Sequence, residues 1–176
     1  MTYENGLPST AQALTLIRSP LEVPVQTYLG PSLQVIDILS RLLDYLGPSE
    51  LWQSTFSVSE EFLRRFHHLR KKGSITHASV LLDHKACRKI LHLWPFISRT
   101  FEKSWLGDNH SKILLLRSQK GHTVSVITSQ NLTRGNRTES SVILSSPHTF
   151  ASLLAQFDGI TTYRSVPLSD LIGTPR

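Results

Sequence analysis

The sequence predicts an α/β domain built on a mixed β-sheet with helices on both faces. Runs rich in aliphatic and β-branched residues alternate along the chain with segments whose apolar residues recur at helical spacing, which interleaves strands with helices. One pair of strand-like runs is separated only by Ser118-Gln119-Lys120-Gly121. That is hairpin chemistry, and it brings an antiparallel pair into an otherwise crossover-connected sheet. The length, 176 residues with 39% hydrophobic and 18% charged, suits one core and leaves little room for a second.

Taken in order, residues 1–29 read as an N-terminal arm and an edge segment, and residues 30–176 as a single domain. In the arm, Ala11 to Ile17 can form a helical turn or two. Leu21 to Leu29 is extended, and Pro24, which cannot donate to a ladder, assigns it to a sheet edge. Gly30-Pro31-Ser32 opens a helix carrying Leu33, Ile36, Leu39, Leu43 and Leu46, stopped by Gly47-Pro48. Leu51 to Val58 is a strand. Ser59 caps a helix over Glu60 to Lys72, with acids in its first turn and cations in its last, where the helix dipole favours each.

Ser74 to Asp83 is an apolar strand ending on an acid. A helix from about His84 to Leu93 is expected to break at Pro95. Phe101 to Gly107 is extended or irregular. Strands Ser111 to Arg117 and His122 to Thr128 form the hairpin, and a Gly-, Asn- and Arg-rich loop leads to strand Glu139 to Leu144. Pro147 to Phe157 is the last helix, followed by a short extended piece and a tail. There is no internal repeat.

Lys plus Arg exceed Asp plus Glu by 19 to 13, a net charge of +6. Such a surplus attracts polyanions, nucleic acid foremost. The single cysteine, Cys87, excludes an internal disulfide framework and fits a reducing, cytoplasmic location. The first twenty residues lack the pattern of a secretory signal, and no apolar run reaches the length of a membrane span.

The chemistry concentrates between His110 and Glu139. Strand parity places His110 and Lys112 on one face, with Leu114 and Leu116 continuing it, and Ser129 and Asn131 on one face of the partner strand with Ser125 and Ile127. An imidazole can act as nucleophile or general acid near neutral pH. Lys112 and Asn131 can hold non-bridging oxygens and stabilise growing charge, and Glu139 can orient an imidazole. Metal ligation is not expected: His84 with Cys87, or His67 with His68, gives no four-ligand pattern.

The run H-S-K, then T-S-Q-N-L-T, then N-R-T-E resembles the HKD signature of the phospholipase D superfamily: H-x-K, an Asp a few residues on, G-S-x-N and a downstream acid. The lead-in, a helix ending in Lys71-Lys72-Gly73 and a strand ending in Val80-Leu81-Leu82-Asp83, agrees, and the resemblance spans roughly residues 30 to 157. It departs in two places: Arg117 stands where the motif has Asp, and Thr128 stands where it has Gly, after an interval between the two halves that is a few residues longer than usual.

The resemblance implies a phospholipase D-like fold and a metal-independent phosphodiesterase, without cofactor, working through a phosphohistidine intermediate. Its catalytic residues would be His110, Lys112, Ser129, Asn131 and Glu139. That mechanism takes two histidines, and no other histidine has a Lys two positions on. One motif in a short chain looks like the small bacterial nucleases of the superfamily, which implies a homodimer with a composite site.

The preferred substrate is DNA or RNA, bound by Arg134 and Arg137 beside the motif and by Lys71 and Lys72, with no membrane partner. Arg64, Arg65 and Arg70 belong to the cluster of Lys71 and Lys72, and Lys85, Arg88 and Lys89 form a second one. Either cluster could flank a phosphodiester groove or be a solvated helix face. Trp52, Trp94 and Trp105 read as core rather than as stacking platforms. An inactive DNA-binding or assembly protein and a phospholipid head-group hydrolase are the alternatives.

Overall fold

A computed structural model describes residues 9–135 and 137–172. Eight strands form one mixed sheet in the order β1-β7-β6-β5-β2-β3-β4-β8. These are β1 Val25–Gly30, β2 Ser49–Thr55, β3 Ile75–Asp83, β4 Lys103–Gly107, β5 Ile113–Ser118, β6 Thr123–Thr128, β7 Glu139–Leu144 and β8 Ser165–Pro167. The helices are α1 Thr10–Leu14, α2 Val35–Leu46, α3 Glu60–Lys71, α4 Cys87–Thr100, α5 Pro147–Tyr163 and α6 Leu168–Ile172. Strands β2, β3 and β4 run parallel, and every other pairing is antiparallel.

The main core lies between one face of the sheet and helices α1 to α4. Leu51, Val80, Leu82, Leu114, Leu116, Val124, Val126 and Ile143 point there from five strands and meet Leu39, Leu42, Phe62, Phe66 and Ile97 from the helices. On the opposite face α5 lies across the sheet. Trp52 packs edge-on against Phe150 at 5.9 Å between ring centroids, and Trp105 against Phe157 at 6.0 Å. Two of the three tryptophans are thus packed against α5, and the third, Trp94, is buried at 6% exposure.

The N-terminal segment belongs to the same body: Ala13 and Ile17 are buried in the main core, and β1 forms the sheet edge opposite β8. Local signals explain most boundaries. Ser59 Oγ accepts the Phe62 N–H (3.2 Å) at the start of α3, and Ser146 Oγ accepts the Thr149 N–H (3.2 Å) at the start of α5. The β5–β6 turn closes on Gly121, whose φ of 83° suits glycine best.

Four expectations are corrected. Helix α2 begins at Val35 rather than at Pro31, because Asp37 reaches back to the Gln34 N–H (2.8 Å) and sets the first turn there. Strand β2 spans 49–55 and stops short of Val58, which forms an isolated bridge to Leu132. Helix α4 does not break at Pro95 but runs through it to Thr100. Pro95 and Leu91 are both exposed, so the carbonyl that loses its donor is on the solvent side, where water can replace the bond. Helix α5 continues past Phe157 to Tyr163, and the tail adds β8 and α6.

Candidate active site

The parallel strands deliver their C-terminal ends, Thr55, Asp83 and Gly107, to one edge of the sheet, and the antiparallel strands add the ends that begin at Ile113 and Glu139 and finish at Thr128. All five predicted catalytic residues stand at this edge. His110 and Lys112 lie in the segment just before β5, and Ser129 and Asn131 just after β6, so neither pair is part of a strand. Hydrogen bonds rather than strand alternation set their positions.

The His110 segment is held from beneath by a buried carboxylate. Asp83, 2% exposed, accepts the Asn109 N–H (2.8 Å) and the Lys85 N–H (2.7 Å). Asn109, itself 5% exposed, donates its side-chain amide to the Thr55 carbonyl (3.1 Å) and accepts from the Ser111 N–H (3.2 Å) and Ser111 Oγ (2.5 Å). Ser111 in turn meets Ser54 Oγ at 2.7 Å. His110 and Lys112 are therefore the two projecting side chains of a segment whose intervening polar groups are tied down.

The Lys112 ammonium donates to the His110 carbonyl (2.8 Å) and lies 3.5 Å from His110 Nδ1. The exposed imidazole rests against the Phe56 ring at 5.5 Å. Among the described residues neither His110 nor Lys112 has a carboxylate partner.

The second half of the site is fastened to the same strand end. Thr55 Oγ1 accepts the Leu132 N–H (3.2 Å) and lies 3.4 Å from Asn131 Oδ1. Ser129 Oγ donates to Glu139 and accepts the Ser140 N–H (3.0 Å). Within one chain Glu139 is thus bonded to Ser129, with no bond to His110. Thr55 joins the two halves, its carbonyl holding Asn109 and its hydroxyl standing beside Asn131. Thr55 carries no mark in the sequence because its role depends on partners more than fifty residues away, and Asn109 none because its side chain acts through Thr55 and its backbone is held by Asp83 from another strand. For Asp83 the signal existed: an acid ending an otherwise apolar strand.

Arg134 and Arg137 line a shallow cleft with Gln34, Asn131 and Glu139, directly beside the site. Arg134 is 3.5 Å from Glu61. Lys71 and Lys72 do not join this constellation. They end α3 just ahead of the N-terminus of β3, at the opposite edge of the sheet, and β3 spans nine residues, about 30 Å. Lys85, Arg88 and Lys89 follow the C-terminus of β3, stand at the site end and are exposed.

Arg117 also lies away from the site. It is five residues beyond Lys112 along β5, paired with Glu50 (2.5 Å) and stacked over Trp52. The far edge holds a second ion pair, between Arg70 and Glu102, and Glu102 also accepts the Ala78 N–H (2.8 Å). Burial alone would raise the Glu102 carboxyl, but the bonds from Arg70 and Ala78 outweigh it and hold the group below the ordinary glutamate range.

Asp83, His84 and Asp108 present three possible ligand atoms within 4.8 Å of one another beside the site. Both Asp83 oxygens already accept backbone N–H groups, and the Asp108 side chain is 81% exposed and paired with Lys85 at 3.7 Å. The donor set does not make an enclosed metal site.

No protein-family model and no curated protein matches the chain. Solved structures do. Nuc from Salmonella typhimurium, a phospholipase D family member, superposes with a TM-score of 0.59 over 81% of this chain and 97% of its own, at 13% identity. Phosphatidylserine synthase from Haemophilus influenzae gives 0.54 at 12% identity, covering 82% of this chain and 39% of that one. TrmBL2, an archaeal chromatin protein with a novel mode of DNA binding, gives 0.55 at 10% identity, covering 84% and 55%. The chain spans well under two thirds of the last two proteins and nearly all of the first. With an eight-stranded mixed sheet, helices on both of its faces and this set of structural neighbours, the chain has the phospholipase D-like fold.

Proposed function

We propose that the protein is a metal-independent phosphodiesterase acting on nucleic acid through His110. The observation that carries this reading is the pairing of the two motif halves on Thr55: an imidazole and an ammonium on one anchored segment, a carboxamide on the next, with a carboxylate nearby. In the proposed reaction a His110 ring nitrogen attacks phosphorus, forming an N–P bond while the P–O bond to the leaving group breaks. The His110 of a second copy supplies the proton to the departing oxygen. Water then attacks phosphorus, the N–P bond breaks, and the water's proton returns to that second imidazole.

Lys112 and Asn131 hold the non-bridging oxygens through both steps. Glu139, which has no bond to the imidazole of its own chain, is available to orient the imidazole of the second copy. Arg134 and Arg137, with Lys85, Arg88 and Lys89 at the same end, form the basic surface along which the polyanion approaches. Arg117 is remote from the reacting groups, so the absence of the motif Asp removes none of them. The net charge of +6 favours nucleic acid over a lipid head group.

The test incubates the protein with plasmid and with single-stranded DNA in excess chelator, beside His110→Ala. We expect cleavage that falls by at least about 10³-fold in the variant while DNA binding persists. Binding with a steep salt dependence and no cleavage by the wild type would establish the DNA-binding alternative instead. Release of a head group from phospholipid vesicles, without cleavage of DNA, would establish the lipid one.

A further inference from the structure

The edge of the sheet at β4 and β8 carries a cleft that the candidate site does not use. Strand β8 is three residues long and pairs only with Trp105, Leu106 and Gly107 of β4. The chain then turns into α6, so among the described residues no strand lies against Lys103 and Ser104 on their outer side. Between this short edge and the end of α4 opens a cleft of about 580 Å³, within the size range of small-molecule sites. It stands at the end of β4 remote from His110, beside the Arg70–Glu102 pair.

The walls of the cleft are aromatic. Trp94 and Phe101 contribute from α4 and its C-cap, at 6% and 3% exposure, and half-buried Trp105 contributes from β4. Packing holds two of these rings: Phe101 lies 4.9 Å from Phe66 between centroids, and Trp105 6.0 Å edge-on from Phe157. The rim is cationic. Arg99 and Lys103 are exposed there, and among the described residues neither has a carboxylate partner. Glu102, the acid of the lining, is already bonded to Arg70 and to the Ala78 N–H. Arg70 offsets Glu102, which leaves Arg99 and Lys103 as the uncompensated charge of the cleft.

The geometry points to a binding site for a small anionic molecule with a flat apolar ring system. The ring lies against the indole and phenyl walls, where aromatic contact adds to the area buried. The anionic group, a carboxylate, sulfonate or phosphate, sits between Arg99 and Lys103 and accepts charge-assisted hydrogen bonds. Two cations above an aromatic wall suit a compact ligand of one or two negative charges. A polyanion instead needs a row of cations along its path. The site asks nothing of the His110 chemistry and stands whether or not the chain cleaves phosphodiesters.

The experiment titrates the full chain with anilinonaphthalene sulfonate, a flat aromatic anion whose fluorescence rises in apolar surroundings. The wild type is compared with Lys103→Glu, Arg99→Glu, Ser104→Trp and Lys120→Glu, and circular dichroism reports whether each variant is folded. Ser104→Trp fills the cleft without altering its charge. Lys120→Glu makes the same charge change as Lys103→Glu but in the β5–β6 turn, outside the cleft. The expected result is saturable one-to-one binding by the wild type and Lys120→Glu. Affinity falls about tenfold or more in folded Lys103→Glu and Arg99→Glu, and binding is lost in folded Ser104→Trp. No saturable binding by the wild type, unchanged affinity in the folded cleft variants, or an equal loss in Lys120→Glu would each overturn the inference. Displacement of the probe by single-stranded DNA would also overturn it, by making the cleft part of a polyanion surface.

Discussion

The two ends of the sheet solve the same problem with different chemistry. At the far end, strand and helix termini are tied by paired charges: Glu102 to Arg70, and Glu50 to Arg117. At the site end the ties run from a buried carboxylate, a neutral amide and a hydroxyl to backbone groups, through Asp83, Asn109 and Thr55. The first arrangement neutralises cations; the second leaves His110 and Lys112, among the described residues, without carboxylate partners, although Lys85 and Arg134 at the same end face Asp108 and Glu61. Among the described residues, His110 and Lys112 keep their charge-bearing atoms free of carboxylates because the segment holding them is fixed by other groups. On the proposed reading, anchors that are mainly neutral or backbone-directed leave the ammonium of Lys112 and the imidazole of His110 for an anionic substrate.

Breaking the site-end anchor should have the largest effect. Asp83→Ala strands the N–H groups of Asn109 and Lys85, and we expect a loss of about 2–4 kcal/mol in a denaturant titration. Under conditions where the variant is still folded, cleavage should fall about 10²-fold through misplacement of His110. A folded variant with wild-type turnover would show that Asp83 supports only the fold.

The two basic clusters sharpen the comparison next. Replacing Lys85, Arg88 and Lys89 with Ala should weaken DNA binding and reduce the slope of log affinity against log salt by about 1 for each phosphate that is no longer neutralised. Replacing Lys71 and Lys72 should leave that slope nearly unchanged, because they stand at the opposite edge. Equal effects would mean that the polyanion wraps the whole molecule.

Arg117→Asp restores the acid of the family motif and also breaks the far-end pair, setting two carboxylates opposite each other across β2 and β5. Stability should drop by about 1 kcal/mol with no gain in cleavage. Increased turnover would instead tie that position to the chemistry.

The smallest effect concerns acid. Because Glu102 titrates below its ordinary range in the folded state, its contribution is present above that range and is lost as pH falls through the lowered native value. Glu102→Gln should therefore flatten the fall in melting temperature on acidification relative to the wild type. Parallel curves would remove Glu102 from the acid response.

The alternation of strand and helix was legible because each element carries its own period, and β7 and the hairpin lie where their patterns place them. The motif halves were legible because they are local: H-S-K and S-Q-N are short strings. What escaped was anything decided by distant partners. Pro95 signals a break, yet the packing of Ile90, Trp94 and Ile97 carries α4 through it. Lys71-Lys72 and Lys85 to Lys89 look alike as strings, and only the direction of β3, which lies between them, assigns one cluster to the site end and one to the far end. Thr55 has no local mark of its position between the two halves.

The most direct test of the account is the stereochemical course at phosphorus, measured by cleaving a chiral phosphorothioate linkage in DNA in the presence of chelator. Attack by His110 followed by attack of water inverts phosphorus twice, so the account predicts net retention of configuration. Inversion would mean that water attacks directly and that His110 is not the nucleophile, and failure to cleave any such linkage would contradict the enzyme itself.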